Sequence, residues 1–398
     1  MKSKGIFQEP EGAGASACLN TEAAMSGHEH EHERIEGVPA RYWSRLEDGR
    51  VVCELCPRKC RLKPGQRGLC YVRAADEKGD LVLTTWGRSS GFCVDPVEKK
   101  PLYHFLPGTP VLSFGTAGCN LTCKFCQNWH ISKARKDDVI QREADPATIV
   151  RMARATGSRS VAFTYNDPVI FLEYALDVAD ACHAAGIKTI AVTAGYIEEE
   201  PRKEFFSKMD AANVDLKGFT EDFYRKLASG HLKPVLDTLR YIYHETDCWL
   251  EITTLLIPGH NDSDEEIAAM SRWIHDHLGP DVPLHFSAFY PTWRMKDVPP
   301  TPPQTVMKAR RIAMKQGLRY VYTGNIVDSE GQNTYCHNCG ELLIGRMGYE
   351  LTAWNLVNKG HCRNCGERCA GVFEEKPGNW GARYLPVDPA AFSIHEEG

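Results

Sequence analysis

Three cysteines stand within eight residues of one another in the segment GTAGCNLTCKFCQNWH, residues 115–130. They are Cys119, Cys123 and Cys126, in the spacing C-x3-C-x2-C. Iron–sulfur clusters are held by cysteine thiolates, and a [4Fe–4S] cluster ordinarily takes four of them. A cluster held by three keeps one iron free for a ligand that is not protein. A zinc ion with three protein ligands and a water is the alternative, but three thiolates in so tight a loop favour the cluster.

A second group of cysteines lies near the C-terminus and consists of two CxxC pairs. Cys336 and Cys339 form the first pair, Cys362 and Cys365 form the second, and 22 residues separate the pairs. A glycine follows each pair and permits a tight turn around a metal. Two such turns at this spacing predict a four-cysteine zinc ribbon. The zinc would stabilise a segment that is too short to build a core of its own.

A third group occupies the segment CELCPRKCRLKPGQRGLC, in the spacing C-x2-C-x3-C-x9-C. Its members are Cys53, Cys56, Cys60 and Cys70. Four cysteines within 18 residues predict one shared site. Zinc and a [4Fe–4S] cluster both accept four thiolates, so the sequence does not separate them. The neighbouring basic and turn residues slightly favour a structural metal.

The stretch between about residue 108 and residue 328 alternates strand-like and helix-like segments. Strands are predicted at 110–118, 160–166, 188–196, 212–218, 248–258, 283–291 and 319–325. Two helices are predicted to start at Asp-Pro pairs, after Asp145 and Asp167, and a third at a capping box made by Ser263 and Glu266. This alternation predicts βαβ units around a parallel sheet. A partial or full β/α barrel fits six or seven such units, and an open doubly wound sheet is the competing prediction.

The predicted strands end in polar sequences such as GTAGC, TYND, TAGY and DLKG. In either architecture the carboxyl ends of the strands meet at one edge, where active sites lie. The three-cysteine loop follows the first of these strands. We therefore expect it to lie at the mouth of the site.

Composition excludes several classes of protein. The 398 residues are 42% hydrophobic and 25% charged, with a net charge of −5, which gives no general attraction to nucleic acid or to an acidic membrane. No apolar run is long enough to span a bilayer, and no secretory signal peptide is recognisable. Sixteen cysteines, clustered in a chain without an export signal, indicate metal ligation in a reducing cytoplasm.

These observations divide the chain into five parts. The predicted parts are a disordered tail (1–39), an N-terminal cysteine-rich metal-binding segment (40–107), a β/α barrel (108–328), a zinc-ribbon-like domain (329–375) and a C-terminal tail (376–398).

The three-cysteine loop also carries a resemblance. The pattern C-x3-C-x-Φ-C after the first strand of a β/α barrel, with Phe125 at the aromatic position, resembles the signature of radical S-adenosylmethionine (SAM) enzymes. Further stretches resemble the pyruvate formate-lyase activating enzyme-like branch, and within it the AmmeMemoRadiSam system radical SAM proteins. These stretches include CELCPRKCRLKPGQRGLC, FTYNDPVIFLEYALDVA, VDLKGF, LLIPGHND, HFSAFYP and NTYCHNCGELLI.

The resemblance implies a partial (β/α)6-type barrel with a cysteine-rich segment before it and a zinc ribbon after it. It implies that a [4Fe–4S] cluster on the three cysteines cleaves SAM to a 5′-deoxyadenosyl radical, which abstracts hydrogen from a substrate. The substrate could be a protein, a peptide or a small molecule. An electron donor such as flavodoxin or ferredoxin would be a partner.

The resemblance also places the SAM contacts on the strand ends. Asn166 and Asp167 stand where relatives contact the SAM amine, and a carboxylate suits an ammonium group. In the D-x-K stretch, Lys217 is expected to meet the SAM carboxylate, with Asp215 orienting it or binding the amine.

The end of the predicted strand at 188–196 is the expected place for the SAM ribose. Thr193 and Gly195 are the candidates there, although Ala194 stands where the subgroup is expected to have an asparagine.

Two other interpretations remain open. A non-catalytic iron–sulfur or zinc redox sensor, or a nucleic-acid-binding protein, would not cleave SAM after anaerobic reconstitution. An RNA-modifying enzyme would copurify with RNA and bind it in a salt-dependent way, but the net acidity of the chain argues against it.

Overall fold

The computed structural model describes residues 34–135 and 142–393. Most of the predicted N-terminal tail lies outside the described residues. Among the helices that are described, none is both long enough and apolar enough to cross a bilayer.

Nine strands of the described residues form the central sheet. In chain order they are β1 (Gly91–Pro96), β2 (Pro110–Gly115), β3 (Ser160–Phe163), β4 (Lys188–Thr193), β5 (Ala211–Asp215), β6 (Trp249–Leu256), β7 (Leu284–Ala288), β8 (Val321–Gly324) and β9 (Leu385–Val387). Across the sheet their order is β8-β7-β6-β5-β4-β3-β2-β1-β9. Every neighbouring pair from β2 to β8 is parallel, and β1 and β9 extend the other edge antiparallel.

The order of these strands distinguishes the two predicted architectures. A doubly wound sheet changes direction at a switch point in its strand order. Here β2 to β8 follow one another in chain order, as in a β/α barrel, with β8 and β9 at the two edges of the sheet. The fold is therefore a mixed, mainly parallel α/β sheet, in which six described β/α units are followed by a seventh parallel strand.

Within the described ranges, six long helices connect the strands. They are α1 (Pro146–Ala155), α2 (Leu172–Ala184), α3 (Glu199–Phe206), α4 (Leu232–Glu245), α5 (Asp264–Leu278) and α6 (Pro303–Lys315). The Asp145 side chain accepts a hydrogen bond from the Thr148 N–H and caps α1. Ser263 caps α5 in the same way, but Glu266 accepts from the Phe219 N–H instead of returning to Ser263. Only half of the predicted capping box therefore forms, because the other half joins α5 to the end of β5.

Smaller sheets surround the central one. On the N-terminal side they contain Val38–Pro39, Trp43–Arg45, Val51–Cys53, Arg61–Leu62, Arg73–Ala75, Leu81–Leu83 and Arg88–Ser89, the last paired with Arg142–Glu143. The C-terminal ribbon contains Thr334–Tyr335, Leu342–Met347, Glu350–Trp354, Leu356–Val357 and His361–Cys362. Because β1 and β9 also lie outside residues 108–328, flanking parts of the chain complete the central sheet.

The amino ends of the strands are filled by a buried network. Glu251, near the start of β6, accepts hydrogen bonds from the backbone N–H groups of Tyr103 and His104 at 3.0 and 2.8 Å. It also pairs with His285 of β7 at 2.7 Å. Arg346 of the ribbon donates to the Tyr103 carbonyl at 2.7 Å. The segment before β2 and the ribbon thus cover this end of the sheet, and Glu251 and His285 lie at the end opposite the carboxyl ends.

Candidate functional site

The three-cysteine loop follows β2 at the carboxyl end of the sheet, as predicted. Backbone hydrogen bonds attach it to a single turn of π-helix, Tyr224–Ala228: Thr122 donates to the Ala228 carbonyl at 3.0 Å, and Lys124 donates to the Leu227 carbonyl at 2.9 Å. Such π-turns occur frequently at functional sites. Both contacts join residues far apart in the chain, so this loop is shaped by the tertiary fold.

Asn166 supports the loop from the end of β3. Its side-chain oxygen accepts from the Thr116 N–H at 3.1 Å, and its amide donates to the Thr116 hydroxyl and to the carbonyls of Ala117 and Gly118 at 3.0–3.2 Å. These bonds use both donors of the buried amide and one of the two acceptor positions of its oxygen. Asn166 thus holds the loop, and its contact with SAM stays a prediction.

Two lysines lie near the thiols of the loop, of which Cys123 is buried and Cys119 and Cys126 are partly buried. Burial raises the pKa of Cys123 to about 12, and the Lys217 ammonium opposes that rise. Burial likewise raises the pKa of Cys119, with Lys133 opposing it. Metal coordination requires thiolates, so the two lysines favour the form of the cysteines that binds metal.

Lys217 follows β5 and faces the same centre. Its ammonium lies 2.9 Å from the Asp215 carboxylate. Burial lowers the pKa of Lys217, but the Asp215 carboxylate and then the Cys123 thiolate outweigh it, so the net shift is upward. The lysine is thus held as a cation beside the cysteines. Its backbone is fixed by the Tyr224 hydroxyl and the Asn261 amide.

Asp167 links the ends of β3 and β4. One of its oxygens accepts from the Val169 N–H and the Thr193 hydroxyl, and the other accepts from the Ala194 N–H, at 2.9–3.1 Å. The carboxylate has about four acceptor positions, so one remains for a ligand. Burial raises the pKa of Asp167 in spite of these donors. Lys217 lies near enough to act against that rise.

Phe125 and Gly195 pack against, or hydrogen-bond to, other residues of the protein. The Phe125 ring is buried, with its centre 5.7 Å from that of Phe223. The Gly195 N–H donates to the Thr193 hydroxyl at 3.0 Å, and its carbonyl accepts from the Thr238 hydroxyl at 2.8 Å. Both residues therefore help to shape the site.

Sequence reasoning did not identify several residues that support the site. Asn120 donates to the Tyr196 carbonyl at 2.8 Å, and Lys133 donates to the Leu121 carbonyl at 2.7 Å while facing Cys119. The hydroxyl of Tyr224 accepts from the Lys217 N–H. The proximity of Asn120 and Lys133 to the cysteine motif was the only signal for them, and Tyr224 had none.

The two flanking cysteine groups each come together. The C-terminal four place their sulfurs within 4.8 Å of one another; Cys336 lies 3.6 Å from Cys365, and Cys339 lies 3.7 Å from Cys362. The N-terminal four, Cys53, Cys56, Cys60 and Cys70, line a single cavity. Each predicted group is thus one site in space.

Comparison with known proteins connects the central site to one family. Residues 114–271 match the radical SAM superfamily. An uncharacterized protein of Methanocaldococcus jannaschii is 40% identical over 330 residues, which are 83% of this chain and 98% of that protein. A 4-hydroxyphenylacetate decarboxylase activating enzyme of Clostridioides difficile is 21% identical over 164 residues, which are 38% of this chain and 51% of that enzyme.

Solved structures show more distant similarity. A domain of a pyruvate-formate lyase-activating enzyme from Bacteroides vulgatus aligns with a TM-score of 0.37 and 17% identity, over 42% of this chain and 99% of that one. A radical SAM methyltransferase from Sphaerobacter thermophilus aligns with a TM-score of 0.43 and 17% identity, over 60% of this chain and 71% of that one.

The family match begins within β2, contains the whole three-cysteine loop, and continues through the charged ends of β3, β4 and β5 to α5. These are the elements that place the thiols, Asp167 and Lys217 around one centre. The chain therefore belongs to the radical SAM superfamily.

Proposed function

We propose that this chain cleaves SAM reductively at a [4Fe–4S] cluster bound by Cys119, Cys123 and Cys126, and uses the product radical to abstract hydrogen from a protein or peptide. Membership of the superfamily implies SAM cleavage at an iron–sulfur cluster. When bound, the cluster offers SAM an open iron and supplies one electron to its sulfonium. The observation that carries the proposal is the convergence of three thiols, one buried and two partly buried, with Lys217 and Asp167 at the carboxyl ends of the strands.

The donor set fits a cluster better than a single zinc ion. Four thiolates around one zinc, with Zn–S bonds of about 2.3 Å, lie about 3.8 Å apart. In a [4Fe–4S] cluster each thiolate binds a different iron, so the cysteine sulfurs lie farther apart than around one zinc ion. Among the described residues, the three sulfurs of this loop are not gathered within 4.8 Å of one another, whereas the C-terminal four are.

The charged residues suit the amino acid end of SAM. That end carries a carboxylate and an ammonium group. The Lys217 ammonium, which stays protonated, could pair with the carboxylate. Asp215 and the remaining acceptor position of Asp167 offer partners for the SAM ammonium group. Ion pairs formed here would be strengthened by the buried surroundings, and they would orient the sulfonium toward the loop.

The mouth of the site supports a protein or peptide substrate. Trp129, in the short helix after the loop, is 44% exposed, and Tyr290, after β7, is 52% exposed. The charged groups of Lys133 and Arg294 both lie over the ring of Trp293. Exposed aromatic and arginine side chains are enriched where proteins are recognised. The distant relative from Clostridioides difficile is named an activating enzyme, which agrees with this class of substrate.

The chain also needs an outside source of electrons and a reducing compartment. We infer that a low-potential donor such as flavodoxin or ferredoxin supplies the electron, and that the chain works in the cytoplasm. Clustered thiols that must stay reduced to bind metal support this location.

The C-terminal four cysteines are proposed to bind structural zinc. The two sulfur–sulfur distances of 3.6 and 3.7 Å agree with the spacing of about 3.8 Å in a tetrahedral zinc site. Two matching turns present them: the Gly340 N–H donates to the Cys336 carbonyl, and the Gly366 N–H donates to the Cys362 carbonyl, both at 2.9 Å. Both glycines have positive φ angles, which a glycine adopts without steric cost.

An anaerobic assay of the full chain tests the proposal. The reconstituted protein, reduced with dithionite and given SAM, should contain iron and sulfide and should form 5′-deoxyadenosine. A preparation that binds no iron, or that leaves SAM intact, would support the non-catalytic metalloprotein instead.

A labelled substrate mixture tests the proposed substrate class. Extract from cells grown in deuterated medium can be divided by ultrafiltration into proteins and small molecules. Deuterium should enter 5′-deoxyadenosine with the protein fraction. Transfer from the small-molecule fraction alone would contradict a protein substrate, and loss of that transfer after the filtrate is treated with peptidase would identify a peptide.

A further inference from the structure

The N-terminal group of four cysteines surrounds one cavity. All four cysteines line it, together with Arg58 and Arg73. Cys53, Cys56 and Cys70 are buried, and Cys60 is partly buried. The four thiols therefore face one enclosed space rather than the solvent.

The spacing of these sulfurs differs from that of a zinc site. In the described part of the chain, only the C-terminal four cysteines bring three or more ligand atoms within 4.8 Å of one another. The N-terminal four surround their cavity without meeting that limit, as do the three cysteines of the SAM loop. In the spacing of its sulfurs, the N-terminal group therefore resembles the SAM loop, which suits a [4Fe–4S] cluster, and differs from the C-terminal four.

The cavity also presents donors to a negatively charged occupant. Arg73, buried beneath it, pairs with Glu173 at 2.8 Å, but its Nε atom has no partner. Arg58 donates through Nε to the Asn120 carbonyl at 2.8 Å, and one of its terminal nitrogens is buried without a partner. Buried donors are ordinarily paired, and a cluster with four thiolates supplies sulfur acceptors. Such hydrogen bonds tune the potential of a cluster.

The cavity lies directly against the SAM loop. A Cβ atom placed on Gly118 would come within 1.8 Å of the Cys70 carbonyl oxygen, so the two backbones touch at a position that requires glycine. Arg58 connects the two sites a second time through Asn120, the residue after Cys119. An occupant of the cavity would therefore influence the shape of the loop.

We propose that Cys53, Cys56, Cys60 and Cys70 bind a second [4Fe–4S] cluster. With four protein thiolates this cluster has no open iron, so it does not bind SAM. This assignment resolves the choice between zinc and iron that the sequence left open. It does not depend on SAM cleavage, since it concerns only which metal the cavity holds.

Metal analysis of a triple variant tests the assignment. The full chain with Cys119→Ala, Cys123→Ala and Cys126→Ala, reconstituted without oxygen, should keep about half of the iron and sulfide of the parent, as expected when one of two [4Fe–4S] clusters is lost. Its zinc content should equal that of the parent. A triple variant that has lost all iron, or in which additional zinc replaces it, would overturn the proposal.

Spectroscopy of the unaltered chain gives an answer that does not depend on how variants fold. Mössbauer spectra should show two clusters of equal iron content, of which SAM perturbs only one. A single cluster, fully perturbed by SAM, would exclude the second site. Failure of SAM cleavage with both clusters present would instead count against the proposed function alone.

A second variant locates the cluster. Cys60→Ser with Cys70→Ser should lose half of the iron and retain the SAM-perturbed signal. The matched control is Cys248→Ser, which alters a buried cysteine outside all three groups and should leave the iron content unchanged. An unchanged iron content in the double variant would refute the proposed ligands.

Discussion

The Lys217 ammonium lies 2.9 Å from the Asp215 carboxylate, across one residue at the end of β5. The same ammonium is near enough to Cys123 and Asp167 to oppose the rise in pKa that burial causes in both. One cation thus connects the cysteine loop, the end of β3 and the end of β5. Its position makes it the natural partner of the SAM carboxylate, and this can be tested directly.

Lys217→Ala should weaken SAM binding by about tenfold or more, because it removes an interaction between charged groups worth about 1.5–3 kcal/mol. Cluster assembly should remain intact, since all three thiols are kept and Lys133 still lowers the pKa of Cys119 and Cys123. Equilibrium binding of SAM to the reconstituted variant gives the measurement. Lys203→Ala, at an exposed lysine paired with Glu199 and Glu200, is the control. Equal affinity in both variants would remove Lys217 from the binding site.

Cys126→Ala should abolish the SAM-sensitive part of the visible absorbance and all formation of 5′-deoxyadenosine. Two thiolates cannot hold the cluster in the geometry that leaves one iron open. Absorbance and product analysis after anaerobic reconstitution provide the readouts. Cys182→Ala, in the buried face of α2, should keep both. Normal turnover by the Cys126 variant would refute the assignment of the cluster.

Asn166→Ala should destabilise the three-cysteine loop without altering any of its cysteines. It leaves the Thr116 N–H and two loop carbonyls without their buried partner, at a cost of about 1–3 kcal/mol. We expect lower iron incorporation at the SAM loop with unchanged zinc. Metal analysis measures both, and Asn379→Ala at an exposed asparagine is the control. Full iron with weakened SAM binding would instead indicate a direct contact with SAM.

Glu98 should make stability depend on pH. Burial raises its pKa from 4.5 to about 7, with Arg346 opposing the rise, and one carboxyl oxygen has no partner. Between these two values the folded chain holds a proton that the unfolded chain has lost. The free energy of unfolding should therefore fall as the pH rises from about 4.5 to about 7, by about 3 kcal/mol at most, and then level off.

Glu98→Gln cannot lose a proton and should remove this dependence. Thermal unfolding at pH 6 and pH 8 measures the effect, with Glu77→Gln, at an exposed position, as the control. An equal change between the two pH values in parent and Glu98 variant would show that another group is responsible.

Much of the fold could be predicted because it depends on local patterns. All seven predicted strands between residues 110 and 325 are present, although most end two or three residues earlier than expected. Polar residues that were counted in the strands, such as Asn166, instead leave the strand and bond to a neighbouring strand end. Helices α3 and α4 were not singled out, and the choice between a barrel order and a doubly wound order needed the structure.

The sequence by itself determined which chemistry the chain can perform, since ligand types and their spacing are covalent properties of a short segment. It also determined that the strand ends carry the polar groups. Only the tertiary structure decided which of those groups remain available to a ligand. The cysteine loop takes both donors of Asn166 and one of its acceptor positions, and Val169, Thr193 and Ala194 take three acceptor positions of Asp167. The partners of a buried polar group are the residues that folding places beside it, and these are distant in the chain.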